Sequence, residues 1–100
     1  VDGTDEETSR AVIHVRGRVQ GVGFRWWARA RALELGLVGT ARNLPDGRVE
    51  LTAQGQRAQV ERLRALLEEQ PSAANRPGRV EGATIQWHEP RDGLTGFTAG

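Results

Sequence analysis

The chain contains no cysteine, methionine, tyrosine or lysine. Without cysteine there can be no disulfide, no thiolate nucleophile and no Cys-ligated metal. The two histidines, His14 and His88, stand far apart and lack the spacing of a metal-ligand pair. No apolar run approaches the roughly 20 residues that cross a bilayer as a helix. Residues 1–10 are mostly acidic and polar, unlike a secretory leader. The expectation is a cytoplasmic protein with no metal, no cofactor and no membrane partner. The missing lysine also explains a misleading number. The sequence pI is 9.2, yet 14 arginines face 13 acidic residues and the formal net charge is only +1. With no Lys, Tyr or Cys, almost nothing except the α-amino group titrates between His and Arg. A small excess of positive charge then moves the pI far upward. The value reports an empty titration window, not a basic surface for nucleic acid.

What is present suits one small domain. The 100 residues are 37% hydrophobic, enough for a single two-layer core. Residues 1–10 read as a solvated, disordered tail and residues 11–100 as the domain. Ala11–Arg16 alternates and is β-branched at Val12, Ile13 and Val15, which predicts a strand. A glycine-punctuated loop, Gly17–Gly23, leads into a helix over Phe24–Leu35, with Phe24, Ala28, Ala32 and Leu35 on one face. Gly36 suits the helix end. A second strand over Val38–Leu44 and a third over Arg48–Ala53 flank Pro45-Asp46-Gly47. There Pro pre-sets φ, Asp bonds back to the backbone and Gly accepts a positive φ. Gln56–Gln70 carries the stripe Val60, Leu63 and Leu67, widened by Leu66, and Pro71 stops it. After a loop over Ser72–Arg79, Val80–His88 predicts a fourth strand with Ala83, Ile85 and Trp87 at period two. Pro90–Gly93 is a turn, and Thr95–Ala99 suits a short edge strand.

This order is β-α-β-β-α-β plus a short terminal β. It is the α+β, ferredoxin-like split βαβ sandwich, with two helices on one face of an antiparallel sheet. The topology predicts where chemistry can sit. A crossover helix makes the first two strands run the same way. The third lies between them, antiparallel to both. The Gly17–Gly23 loop and Asn43 therefore meet at one edge of the sheet.

At that edge, Gly17-Arg18-Val19-Gln20-Gly21-Val22-Gly23-Phe24-Arg25 joins a strand to a helix. Such a loop can present unpaired N–H groups at a helix N-terminus, where the dipole favours an anion. Arg25, in the first turn, can add a bidentate guanidinium. A cation there opposes the helix dipole unless an anion compensates it. Glycine loops alone are common, and taken alone they favour a plain tight turn. The Lys-Ser/Thr ending of a nucleotide P-loop is missing. Asn43, taken alone, fits a residue bonding its local turn backbone.

Two longer motifs carry more. Val19-Gln20-Gly21-Val22-Gly23-Phe24-Arg25 resembles the first signature of the acylphosphatase family. Leu35-Gly36-Leu37-Val38-Gly39, followed by Arg42-Asn43-Leu44-Pro45-Asp46-Gly47-Arg48-Val49, resembles the second, in the same order and spacing. The resemblance is specific from Val12 to Gly55 and looser to Phe97. One departure is Thr40, where relatives usually carry an aromatic residue. The resemblance implies hydrolysis of the carboxyl–phosphate bond of a small acyl phosphate. It implies a phosphate cradle made of Gln20, Gly21, Val22, Gly23 and Phe24 through their backbone N–H groups. Arg25 would hold the phosphoryl oxygens and Asn43 would orient the attacking water. Inorganic phosphate is expected as a product inhibitor, and the protein is expected to be a monomer.

The chemistry is consistent with these few groups. The leaving carboxylate has a conjugate acid of pKa about 4–5, so it departs without a proton donor. The phosphoryl transition state is loose, and positioning plus electrostatics can supply the catalysis. One preorganised donor is worth roughly 10²–10³ in rate. The alternative is a non-catalytic phosphate-binding module of the same fold. An RNA-binding domain of this fold would display aromatics on its central strands, and here the first and third strands have none. His14, Trp26, Trp27 and Trp87 read as sheet or packing residues, Asp46 as a turn former, and Arg57, Arg62 and Arg64 as a solvated helix face.

Overall fold

The structure, a computed structural model, describes residues 7–69 and 76–99. Its elements are β1 (Thr8–Arg18), α1 (Phe24–Glu34), β2 (Val38–Asn43), β3 (Val49–Gln56), α2 (Arg57–Glu68), β4 (Arg79–His88) and β5 (Phe97–Ala99). The sheet order is β4-β1-β3-β2-β5. β1 pairs antiparallel with β3 and β4, and β2 pairs antiparallel with β3. β5 adds to β2 in parallel, so the sheet is mixed at that edge. Among the described residues no helix is long and apolar enough to cross a membrane.

Alternation decides which face is covered. Ala11, Ile13 and Val15 of β1 and Val49, Leu51 and Ala53 of β3 are fully buried. Phe24, Ala28 and Ala32 of α1 and Val60, Leu63 and Leu67 of α2 are buried with them in one core. Burying each Val, Leu or Phe side chain contributes about 1.5–3 kcal/mol. Ala83, Ile85 and Trp87 of β4 pack half-buried against the edge of this core. The other sheet face carries Val12, His14, Glu50 and Thr52, and among the described residues no helix covers it.

Pairing, rather than side-chain pattern, sets the strand ends. Thr8, Ser9 and Arg10, expected in the tail, belong to β1 because they pair with Gln56, Gly55 and Gln54. β1 also runs past Gly17, expected as the start of the loop, because Gly17 and Arg18 pair with Val80 and Arg79 across a bulge. Gly17 sits at φ 134, and a Cβ there would collide with the Arg79 carbonyl. β3 continues to Gln56, which was expected to start the second helix, so α2 begins at Arg57. Gln70 and Pro71 lie outside the described residues.

The helix ends have distinct causes. At α1 the Gly36 N–H donates to the Leu33 carbonyl (3.1 Å) and the Leu37 N–H to the Ala32 carbonyl (2.9 Å). With Gly36 at φ 75, this is the left-handed glycine termination expected there. At α2 the Arg76 Nη1 donates to the carbonyls of Leu66, Leu67 and Glu69 at 2.8–3.0 Å. A guanidinium from the following loop thus satisfies the carbonyls of the last turn. Arg57 departs from the solvated-face expectation: it stacks over Trp87 at 4.1 Å from the ring centroid. Trp27 packs against the core and Trp26 stays 58% exposed.

Candidate active site

Val15 of β1 and Asn43 of β2 both pair with Val49 of β3. Their backbones therefore lie in one row, two strand spacings or about 10 Å apart. Past this row, β1 runs into the segment 19–23 and β2 into the hairpin turn. Both segments leave the same edge of the sheet.

Val19 is buried and anchors the segment. Gly21 and Gly23 then take φ 74 and 86, a conformation that costs a Cβ-bearing residue about 1–2 kcal/mol. Among the described residues nothing lies within 4 Å of where a Cβ would stand at either glycine, so none of them fills the space beside the turn. Gly23 is the N-cap of α1 and provides no side-chain cap. The first helical bond runs from the Trp27 N–H to the Gly23 carbonyl, 3.1 Å. The N–H groups of Phe24, Arg25 and Trp26 precede it and have no carbonyl partner within the helix.

Charge reinforces this arrangement. The first turn of α1 holds no acidic residue, although acidic residues are favoured there. Arg25 is half-buried, and among the described residues it forms no ion pair and no side-chain hydrogen bond. The dipole and the guanidinium together make a positive corner that an anion would neutralise.

Asn43 ends β2 and is exposed. Its amide makes no hydrogen bond among the described residues, so it is not engaged with the turn backbone. Other groups close that turn. The Leu44 N–H donates to the Arg48 carbonyl (2.8 Å) and the Gly47 N–H to the Leu44 carbonyl (3.1 Å). Asp46 Oδ1 accepts the Arg48 N–H (3.0 Å) and Oδ2 accepts from Arg48 Nε (2.7 Å). The Arg48 backbone N–H, aided by its guanidinium, outweighs desolvation and holds Asp46 below the ordinary aspartate pKa. That makes Asp46 a weaker base still, in keeping with its reading as a turn former.

Gln20 behaves differently from its neighbours. Its amide nitrogen donates to the carbonyls of Leu44 (2.8 Å) and Arg48 (2.9 Å). The segment 19–23 is thus tied directly to the hairpin behind Asn43. From the sequence only a backbone role is expected for Gln20, because a side chain's partner across the fold has no local signal.

On the helix-free face, Glu50 is held by His14 Nε2 (3.0 Å) and Arg42 Nε (2.8 Å). His14 is thus a sheet residue with a carboxylate partner. A groove of about 370 Å³, lined by Thr40, Ala41, Arg42, Glu50, Thr98 and Ala99, lies beside this pair at the β2–β5 edge. It includes neither Arg25 nor Asn43, and its one arginine is already paired.

Comparison with known proteins agrees with the architecture. The acylphosphatase family model matches residues 11–99. An acylphosphatase of Acidothermus cellulolyticus is 58% identical over 92% of this chain and 87% of its own length. One from Saccharopolyspora erythraea is 54% identical over 94% of this chain and 95% of its own. Among solved structures, an acylphosphatase from Coxiella burnetii superposes with a TM-score of 0.80 at 28% identity, covering 99% of each chain. With its fold, its two signature segments and these relatives in agreement, the chain belongs to the acylphosphatase family.

Proposed function

We propose that Arg25, Asn43 and the backbone N–H groups of residues 20–24 carry the hydrolysis of acyl phosphates by this acylphosphatase. One observation supports the assignment most. Among the described residues, an Arg25 without an ion pair and the α1 N-terminal N–H groups without helical partners lie at the same sheet edge as an Asn43 amide that makes no hydrogen bond.

The phosphoryl oxygens sit against the N–H groups of residues 20–24, with Arg25 forking onto two of them. Asn43 orients a water for in-line attack on phosphorus. The new P–O bond forms from the water oxygen while the bond to the carboxylate oxygen breaks. The carboxylate leaves with the bonding electron pair and needs no proton. The water's proton passes to a phosphoryl oxygen of the substrate itself. The N–H groups and the guanidinium stabilise charge that spreads over the equatorial oxygens. No side-chain base is required.

The cradle that holds a phosphoryl group also holds released phosphate, so inorganic phosphate acts as a competitive product inhibitor. The protein works as a monomer. Its large exposed apolar side chains among the described residues, Val22, Trp26 and Leu33, are too few for an obligate interface.

The test is benzoyl phosphate hydrolysis by purified protein in excess EDTA, with and without inorganic phosphate, beside Arg25→Ala. Turnover that persists in EDTA, is inhibited by phosphate and is lost in the variant supports the proposal. A folded wild type that binds phosphate without turnover would replace it with a binding module.

A further inference from the structure

We infer that Gln20 is a positioning residue for catalysis, setting the distance between the phosphate cradle and the water held by Asn43. The inference rests on the roles proposed above for Arg25, the cradle and Asn43.

The geometry is specific. Leu44 and Arg48 are the pair that closes the β2–β3 hairpin, through the Leu44 N–H and the Arg48 carbonyl. Gln20 donates to both of their carbonyls, at 2.8 and 2.9 Å. Each of those oxygens already accepts one backbone N–H, from Gly47 and from Leu44 respectively. The Gln20 amide thus fills the second acceptor position of both residues. Carbonyl oxygens only accept, so the NH₂ of Gln20 must face them and the amide orientation is fixed.

A glutamine suits this place for a physical reason. Two donors on one planar nitrogen match two carbonyls across a hairpin mouth. Glutamate offers acceptors against acceptors, and asparagine is one methylene shorter. Half-burial of Gln20 keeps water from competing fully for the two oxygens.

The consequence concerns catalysis more than folding. The cradle lies on the β1–α1 connection and Asn43 on β2, with the whole of α1 between them in sequence. The ladder through Val49 aligns Val15 with Asn43, but residues 19–23 lie beyond the end of β1, where no strand pairing fixes their distance from Asn43. Gln20 is itself the first residue of the cradle, and Leu44 directly follows Asn43. Its two hydrogen bonds thus link the group that holds phosphorus directly to the strand end that holds water. In-line attack is sensitive to that separation: a misplacement of about 1 Å can cost roughly 10²-fold in rate.

The experiment measures kcat for benzoyl phosphate and the inhibition constant of inorganic phosphate in wild type, Gln20→Met, Asn43→Ala and the double variant. All are assayed well below their unfolding transitions, which urea titration establishes. Methionine keeps the length and removes both donors. Gln20→Glu is a second donor-free variant should the first fold poorly. The expected result is a fall in kcat of roughly 10- to 100-fold, with the phosphate constant changed less than about twofold. In the Asn43→Ala background the same substitution is expected to lower kcat less than about twofold, because there is no oriented water left to misplace. An unchanged kcat, an equal loss in both backgrounds, or a phosphate constant that weakens in step with kcat would each overturn the inference. Those outcomes leave the proposed reaction standing. An inactive wild type, or an Arg25→Ala variant as active as wild type, would remove the proposed reaction and this inference together.

Discussion

Val49 pairs on one side with Val15 and on the other with Asn43. Through this one β3 residue the strand that leads to the cradle and the strand that ends in Asn43 are held in register. The signature segments are far apart in the chain, and the ladder aligns their ends before any side chain is considered. Asn43 itself is left with no hydrogen-bond partner for its amide among the described residues.

Asn43→Ala therefore separates catalysis from binding. The variant is expected to lose roughly 10²-fold or more in kcat, while inorganic phosphate inhibits it nearly as well as it inhibits wild type. Equal losses in kcat and phosphate affinity would assign Asn43 to the phosphoryl group instead of the water.

In the proposed cradle Gly23 acts through its backbone. It caps α1 at φ 86 with open space where a Cβ would lie. Gly23→Ala adds strain without a collision, and is expected to destabilise by about 1–2 kcal/mol in urea titration. Because the strain falls on the residue that aims the first helical N–H groups, the phosphate inhibition constant is expected to rise about tenfold. A strained variant with unchanged phosphate affinity would remove this turn from the binding site.

Glu50 predicts a pH effect on stability. Burial pushes its carboxyl upward, but hydrogen bonds from His14 and Arg42 outweigh that and hold it below the ordinary value of 4.5. The unfolded chain then binds the proton more readily than the folded one. The stabilisation is fully present above pH 4.5 and is lost as pH falls through the depressed folded value. Glu50→Gln is expected to cost about 1–2 kcal/mol at pH 7, and the gap from wild type should close as the medium is acidified below that point. Urea midpoints measured across this range check it. A gap that stays constant with pH would show that charge is not what Glu50 contributes. Turnover should be unaffected, since Glu50 lies on the helix-free face.

Local chemistry was readable in the sequence where it decides the structure. Pro45-Asp46-Gly47 makes the hairpin turn, with the Asp46 carboxylate on the Arg48 N–H. Gly36 ends α1 in the left-handed conformation, and the period-two residues of β1 and β3 form the buried sheet face. What escaped were long-range partnerships. The extensions of β1 to Thr8 and Arg18 depend on β3 and β4 offering free edges. Arg76 reaches back to the end of α2 from a loop, and Arg57 lies on Trp87. Glu50 gathers His14 and Arg42 from neighbouring strands. The candidate site divides the same way. Arg25, Asn43 and the glycines stand in recognisable motifs, whereas the double donation by Gln20 depends on a hairpin distant in sequence.

On the proposed mechanism Arg25 holds the phosphoryl group by its planar fork and not by charge alone. Benzoyl phosphate hydrolysis by Arg25→Lys, assayed beside wild type, tests it most directly. The expected result is a loss of roughly 10²-fold or more in kcat/KM despite the retained positive charge, because an ammonium cannot replace the two parallel N–H bonds. Near-normal turnover in that variant would contradict it.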